Sequence, residues 1–263
     1  MIVTKSPAQI EKMARAGEIV GDCLEMLTGH CQPGVTTGDL DTLAESFIRE
    51  HRAIPTFKGY RGYPASICAS PNQMVVHGIP GPYRLKEGDL ISLDVGATLA
   101  GWVGDSAITV AVGDPGSVAL RLLEVTRESL FKAIAMCVPG NHLGDVSHAV
   151  QEHVERNGFA VVRTLVGHGI GRKMHEDPQI PNFGTPGQGP LLEEGMVFAI
   201  EPMVNVGTHR VIGGDDDWAI FTADGSLSAH FEHTVALTKK GPRVLTARGA
   251  NDRSGLGVTH PLW

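Results

Sequence analysis

A ten-residue segment occurs twice in this chain, 106 residues apart, and it constrains the fold more than any other feature of the sequence. CQPGVTTGDL occupies positions 31–40 and CVPGNHLGDV occupies positions 137–146, with the same residue at five of the ten positions. Pro-Gly pairs are common at helix ends, so a chance match between two helix ends is the alternative explanation. The same order of predicted elements around each copy favours an internal duplication.

Helical patterns surround both copies. The first helix is predicted to begin after Ser6, with Pro7 at its first position and Gln9 closing a capping box, and to end near Cys31. A second helical stretch, 116–136, precedes the second copy, and shorter amphipathic helices are predicted over 39–50 and 145–157. Segments rich in glycine and β-branched residues, which are typical of strands, follow each helix pair.

These patterns predict an α+β chain of two pseudo-symmetric halves, about 7–112 and 113–247, each with a helix pair and antiparallel strands around a central site. A cleft between two similar halves is a usual place for such a site. We expect residues 1–247 to form a single domain. The segment 248–263 is Gly-rich and polar without periodicity, so we expect a flexible C-terminal tail.

Charge and composition exclude several classes of protein. The formal net charge of −7 argues against nucleic acid as a partner, because phosphate binding needs a basic face. Apolar runs such as 196–200 are too short to cross a membrane, and residues 1–7 lack the layout of a secretory signal. The four cysteines show no close pairing, which predicts reduced thiols and a cytoplasmic protein.

Two acids lie in a predicted strand hairpin. Asp94 falls in LISLDVG and Asp105 in VGDSAITVAV, and a turn centred between Leu99 and Ala100 would place the two carboxylates directly opposite each other. Like charges at about 5 Å destabilise a hairpin unless a proton or a cation lies between them. A divalent cation fits this requirement best.

The second half supplies a matching pair of acids. Glu201 lies in FAIEPMV and Glu232 in AHFEHTVAL, both apolar and strand-like, and Asp94 plus the repeat offset falls within one residue of Glu201. Between the pairs comes His168, whose flanking glycines let a metal or substrate approach the backbone closely. Each acid alone would be interpreted as an edge-strand residue facing water. Together, four carboxylates and one imidazole form a ligand set able to hold two cations that activate water.

The chain resembles the type I methionine aminopeptidases, which share a two-halved pita-bread fold with prolidases and aminopeptidase P. The resemblance spans about residues 6–245. It is carried, in order, by GYRGYP at 59–64, HGIP at 77–80, LDVG at 93–96, GDS at 104–106, GHGIG at 167–171, HE at 175–176, IEPM at 200–203 and FEHT at 231–234. Only 33 residues separate His168 from Glu201, which leaves no room for the extra subdomain of type II enzymes.

The resemblance implies a catalytic domain that removes the initiator methionine from nascent proteins and peptides through attack of a metal-activated hydroxide on the first peptide bond. It implies two divalent ions, Co, Mn, Fe or Zn, of which the oxygen-rich set favours Fe or Mn. One ion would be held by Asp94 and Asp105, and the other by Asp105, His168, Glu201 and Glu232, with Asp105 and Glu232 bridging. Glu201 would also act as general base.

The implied roles of the remaining site residues concern the substrate. His175 would stabilise the oxyanion and His77 would contact the scissile peptide and assist proton transfer. The methionine pocket would be lined by Tyr60, Tyr63, Cys68 and Trp218. Phe57 stands where common bacterial members often have a cysteine, and Met174 stands where an aromatic residue is usual. These two departures bear on the shape of the pocket.

Three alternatives stay open at this point. An Xaa-Pro peptidase on the same fold would use the same ligands, although the sulfur and aromatic pocket residues favour methionine. A catalytically inactive binding protein, for example on ribosomes, would be expected to lose ligands. In the third alternative the metals are purely structural. Structural metal sites usually have a closed coordination shell of Cys and His ligands, whereas this ligand set is rich in carboxylates. We expect a monomer that acts on N-terminal methionine peptides and nascent chains, with the ribosome as a candidate place of action, and not on nucleic acid or membranes.

Overall fold

The computed structural model describes residues 1–248, and the tail predicted over 248–263 lies outside the described residues except for Arg248. Four helices, fifteen strands and one 3-10 turn occur in the described part of the chain. The helices are α1 Pro7–His30, α2 Thr37–Glu50, α3 Ser117–Ala135 and α4 Leu143–Arg156. The 3-10 turn is Tyr60–Gly62, and the first-half strands are β1 Ile54–Pro55, β2 Ile67–Pro71, β3 Met74–Val76, β4 Leu90–Leu99 and β5 Trp102–Ala111. Those of the second half are β6 Ala160–Val161, β7 Val166–Gly169, β8 Glu176–Pro181, β9 Val197–Ile200, β10 Met203–Asn205, β11 Val211–Gly213, β12 Ile220–Thr222, β13 Ser228–His230, β14 His233–Thr238 and β15 Gly241–Val244.

The sequence repeat is a structural repeat. Helices α2 and α4 are offset at both ends by the repeat spacing of 106 residues. Each is preceded by a glycine with positive φ, Gly34 at 94° and Gly140 at 98°, a conformation that favours glycine. Both helices begin two residues earlier than predicted because Thr36 and His142 cap them, with Asp39 and Asp145 closing the capping boxes. The box of Ser6 and Gln9 on α1 is confirmed.

Each half has its own core. Apolar side chains of α1 and α2 pack with those of β2 and β4, and those of α3 and α4 pack with those of β9 and β14. In the first half, β4 pairs with β5 along one edge and with β2 and β1 along the other. The second half contains the five-stranded antiparallel sheet β15-β14-β9-β7-β8. Burial of an apolar stripe of each helix against a sheet is what holds the α+β layers together.

The register of the β4–β5 hairpin differs from the prediction. Leu99 pairs with Trp102, so the turn consists of Ala100 and Gly101, both with positive φ, at 49° and 77°. Two-residue turns of this kind match the twist of the strands. The shift pairs Asp94 with Ala107 instead of Asp105. The prediction that the two acids face each other directly is therefore wrong, but they remain diagonal neighbours on one face.

The two halves meet along a close contact between α1, β5 and the segment after β15. A Cβ atom at Gly17 would lie 2.3 Å from the carbonyl oxygen of Leu245, and one at Gly104 would lie 2.8 Å from the amide nitrogen of Gly17. Only glycine permits these approaches. Arg248, which the sequence placed in the flexible tail, donates to the carbonyl oxygen of Ala107 at 3.2 Å. Within residues 1–248, no helix has the length and apolar character needed to span a membrane.

Candidate metal centre and methionine pocket

The structure brings all eleven predicted site residues to one cavity of about 150 Å³ between the halves. Phe57, Arg61 and Met174 complete its lining. The predicted residues that line it are Tyr60, Tyr63, Cys68, His77, Asp94, Asp105, His168, His175, Glu201, Trp218 and Glu232. The cavity therefore joins the predicted ligand set to the predicted pocket.

The four carboxylates come from two strand pairs that face each other. Asp94 lies on β4 and Asp105 on β5. Glu201 directly follows β9 and Glu232 directly precedes β14, where the pairing between these strands ends at Ile200 and His233. The expectation that both glutamates lie inside strands is therefore wrong by one residue each. Neither glutamate takes part in the backbone pairing between β9 and β14, and both lie where the two halves meet.

Among residues 1–248, several polar atoms in or beside this cavity have no hydrogen-bond partner. They are Asp94 Oδ1, Asp105 Oδ1, Glu232 Oε1 and His230 Nε2, all buried. A buried polar atom without a partner is costly, and native structures hold few of them. A cation would satisfy the three carboxylate oxygens at once, so the residues present fit a metal site.

The spacing of the candidate ligand atoms supports the same interpretation. His168 Nε2 lies 3.8 Å from Asp105 Oδ2 and 3.7 Å from Glu201 Oε1, too far for hydrogen bonds. Two ligands of one ion lie at most about 4.4 Å apart when each bond is about 2.0–2.2 Å long, and both of these distances are within that limit. Asp105, His168 and Glu232 also each offer a ligand atom to one small volume, with these atoms within 4.8 Å of one another. The group can hold a divalent ion.

Burial and mutual repulsion make the four acids weak acids without a cation. Burial raises the pKa of Asp94 to about 7. Burial, reinforced by the neighbouring carboxylates, raises the pKa of Asp105, Glu201 and Glu232 well above the usual range. Desolvation and like charge both penalise the ionised form. A divalent ion would reverse this preference and release protons on binding.

The imidazole of His168 is oriented by its own strand. Its Nδ1 lies 2.9 Å from the carbonyl oxygen of Gly169, which can only accept, so Nδ1 carries the proton and Nε2 presents a lone pair. Burial lowers the pKa of His168 to about 4, which keeps the ring neutral. These are the properties of a metal ligand.

The glycines beside His168 have a different purpose from the one expected. A Cβ atom at Gly167 would lie 2.4 Å from the carbonyl oxygen of Ala199, and one at Gly169 would lie 2.0 Å from that of Asp177. These close neighbours are protein backbone on β9 and β8, not a ligand or substrate. The glycines therefore allow β7 to pack between its neighbours.

Two further histidines border the cavity. His175 Nδ1 lies 2.8 Å from the hydroxyl oxygen of Tyr60, and burial, then the charge of Arg61, lowers the pKa of His175. His77 has a φ of 61°, an uncommon conformation for a residue with a side chain, and burial lowers its pKa. Both rings therefore favour the neutral state.

The apolar end of the cavity is built around Tyr63 and Cys68. The Tyr63 hydroxyl donates to the carbonyl oxygens of Ile67 and Gly78, at 3.0 and 2.9 Å, and its ring meets Trp218 edge to face at 5.0 Å. Phe57 lies against Gly96, where a Cβ atom would be 2.6 Å from the phenyl ring. The ring of Phe57 thus occupies space that a side chain on β4 would fill.

Sequence reasoning missed two features beside this cavity. His230 is buried, with its Nε2 3.8 Å from Glu201 Oε2, and its position two residues before Glu232 places it on the same side of the strand segment. Glu176 forms a buried ion pair with Lys5 at 2.8 Å directly behind His175. The alternation of side chains could have indicated His230, whereas no local signal joins residues 5 and 176.

The fold and the site define the class of protein. A model of metallopeptidase family M24 matches residues 11–239, and the chain belongs to this family. Within it, the chain is 56% identical to a methionine aminopeptidase of Clostridium acetobutylicum, over 94% of this chain and 99% of the relative. It is 51% identical to methionine aminopeptidase 1 of Bacillus subtilis, over 94% and 99% of the two chains. The resemblance to methionine aminopeptidases inferred from the sequence is confirmed.

Comparison with solved structures supports the same fold. A crystal structure of methionine aminopeptidase from Thermotoga maritima matches with a TM-score of 0.92 at 50% identity, covering 94% of this chain and 99% of that one. The prolidase of Pyrococcus furiosus matches with a TM-score of 0.74 at 20% identity, covering 94% of this chain and 66% of that one. The prolidase likeness shows the fold alone. Together they confirm the expected pita-bread fold.

Proposed function

We propose that this chain removes the N-terminal methionine from newly made proteins and peptides by hydrolysing the first peptide bond. The observation that carries the proposal is one cavity in which an apolar and sulfur-containing pocket adjoins four carboxylates, of which Asp105 and Glu232 are buried and Asp94 and Glu201 half-buried. An unbranched thioether side chain packs well among aromatic rings and a thiol such as those of Tyr63, Cys68 and Trp218. The names of the similar proteins support the same activity.

We infer that two divalent ions bind in this cavity. Asp94 would help hold one ion, His168 and Glu201 would help hold the other, and the carboxylates of Asp105 and Glu232 would serve both ions. Because the set is rich in carboxylate oxygen, Fe²⁺ or Mn²⁺ suits it better than Co²⁺ or Zn²⁺. When bound, such ions polarise a carbonyl group and make water acidic enough to lose a proton near neutral pH.

The side chains of the protein supply the proton transfers. Glu201 would accept the proton of the attacking water, since its carboxylate lines the cavity that the proposed ions and the substrate share. If the Tyr60 hydroxyl donates to His175 Nδ1, then His175 carries its own proton on Nε2, where it can stabilise the developing oxyanion. His77 would contact the scissile peptide and assist the transfer to the leaving amine.

Peptides and nascent chains with an N-terminal methionine are the proposed substrates, and the ribosome is the proposed place of action for a monomer in the cytoplasm. All four cysteines are free and buried, which suits a reducing compartment.

An Xaa-Pro peptidase is the second candidate, because prolidases share the fold. The experiment that separates the two is release of free methionine from Met-Gly-Met, with and without Mn²⁺ or Co²⁺, beside Gly-Pro. Metal-dependent cleavage of Met-Gly-Met alone is expected. Cleavage of Gly-Pro alone would assign the chain to the prolidase branch, and no cleavage of either peptide by the metal-loaded protein would favour a binding protein.

A further inference from the structure

A second cavity opens directly outside the methionine pocket. It has a volume of about 560 Å³ and shares Arg61, His168 and His175 with the inner cavity. A peptide whose first side chain fills the inner cavity must continue outward past these three residues. The outer cavity, here called the exit cleft, therefore lies on the path of the residues that follow the scissile bond.

The acids of the exit cleft are already paired. Glu176 binds the Lys5 ammonium at 2.8 Å and accepts from the backbone amides of Arg172 and Lys173 at 2.9 and 3.2 Å. Asp177 accepts from the amino group of Met1. Each carboxylate therefore already has a cationic partner.

Two cationic side chains of the exit cleft are without an ion pair in the described part of the chain. Arg61 and Lys173 both line the cleft and are exposed, and no ion pair to either is found among residues 1–248. Arg61 is also held in place, because its guanidinium carbon lies 5.4 Å from the ring centroid of Tyr60, whose hydroxyl bonds to His175. A cation fixed beside the reaction site needs less ordering when it binds a substrate.

We propose that the exit cleft is a subsite for the third and fourth residues of the substrate, and that Arg61 and Lys173 select acidic side chains there. The proposal rests on the proposed methionine aminopeptidase activity. Exposed ion pairs stabilise only weakly, so two such contacts correspond to roughly a three- to tenfold preference in kcat/KM. The preference should fall as salt screens the charges.

The test measures kcat/KM for Met-Gly-Glu-Ala, Met-Gly-Gln-Ala and Met-Gly-Lys-Ala, and for the matching peptides substituted at the fourth position, at low and at high ionic strength. The double variant Arg61→Gln with Lys173→Gln removes both cations. Arg52→Gln is the matched control, since Arg52 is also exposed, has a similar φ (59° against 50°) and lines neither cavity.

The expected result is that the wild-type protein and Arg52→Gln prefer the glutamate peptides over the lysine peptides at least threefold at low salt, and that the double variant loses this preference. Equal rates for the three wild-type substrates at low salt, or a preference that survives in the double variant, would overturn the proposal. Cleavage of the neutral peptide without charge preference would overturn only the selectivity, whereas failure to cleave any of them would overturn the proposed function as well.

Discussion

The side chain of Thr234 and the backbone of Asp105 exchange two hydrogen bonds across the boundary between the halves. The Thr234 hydroxyl donates to the carbonyl oxygen of Asp105 at 2.7 Å and accepts from its amide at 3.1 Å. Two residues further along β5, the carbonyl oxygen of Ala107 accepts from the amide of Glu232 at 2.9 Å. The two proposed bridging carboxylates are thus placed by bonds between β5 and the strand segment that leads into β14.

Thr234→Val keeps the shape of the side chain but leaves both backbone groups of Asp105 without their partner. Because these groups are buried, we expect a loss of about 1–3 kcal/mol in the free energy of unfolding, measured with urea. Thr238→Val is the control, since Thr238 bonds only within the turn to β15. Equal losses of unfolding free energy in the two variants would contradict a stabilising role for the contact between Thr234 and the Asp105 backbone.

The metal-free protein should lose stability as the pH rises above about 7. The pKa of each site carboxyl group is raised by folding, so its contribution is present at low pH and is lost as the pH passes the folded pKa, which is about 7 for Asp94 and well above the usual range for the others. His168 and His230, whose pKa values are lowered, give the opposite slope, which fades above about pH 6.5 as their unfolded imidazoles also become neutral. Urea unfolding with a chelator at several pH values measures the effect. A metal-loaded sample should show a weaker decline, and a metal-free stability that rises over this range would contradict the assignment of the buried acids.

The ion pair of Lys5 and Glu176 should hold the His175 segment in place. Its side chains are 4% and 13% exposed, so Lys5→Met leaves a largely buried carboxylate unpaired and should cost about 3–5 kcal/mol. We also expect kcat to fall while metal affinity, measured by calorimetry, stays within about twofold, since no proposed ligand is changed. Lys239→Met removes a lysine from an exposed pair and should cost about 1 kcal/mol or less. A joint Lys5→Met and Glu176→Leu variant should recover stability but not kcat, and recovery of both would show that the pair affects folding alone.

Cys68→Ala should change selectivity more than turnover. The thiol lies in the apolar end of the cavity, and its loss enlarges the space for a branched side chain. The measurement is the ratio of kcat/KM for Met-Gly-Met over Leu-Gly-Met. Cys23→Ala is the control, a buried cysteine on α1 in the core of the first half. An unchanged ratio in Cys68→Ala would remove Cys68 from the pocket.

The sequence was sufficient for the parts of the fold that depend on local signals. The capping box of Ser6 and Gln9 and the helix ends at the Pro-Gly turns are each encoded within a few residues, and the repeat is found by comparing two short segments directly. The register of the β4–β5 hairpin could not be predicted in this way. A shift of two residues keeps Asp94 and Asp105 on the same face of the sheet and so leaves the hydrophobic pattern unchanged. Only the turn conformation at Ala100 and Gly101 decides it.

Long-range relationships in the site were the least accessible from the sequence. The family resemblance allowed the eleven residues that line the cavity to be predicted. The ion pair of Lys5 and Glu176 could not be predicted, because the two residues lie 171 positions apart and belong to no sequence pattern. Arg248 lies in a polar segment that predicts flexibility, but its guanidinium group bonds to Ser106 Oγ at 3.3 Å and to the carbonyl oxygen of Ala107. Such contacts depend on the assembled halves, which no short window of sequence describes.

The central claim is that the four cavity carboxylates and His168 hold the ions on which methionine release depends. The most direct measurement is a titration of the chelator-treated protein with Mn²⁺ while free methionine is released from Met-Gly-Met, for the wild type, Asp105→Asn and Glu232→Gln, with the exposed Glu124→Gln as control. We predict no release without metal, release that rises with bound Mn²⁺ in the wild type and control, and at least a thousandfold lower rate at saturating metal in both ligand variants. Substantial release by the metal-free protein, or by either ligand variant at saturating metal, would contradict the claim.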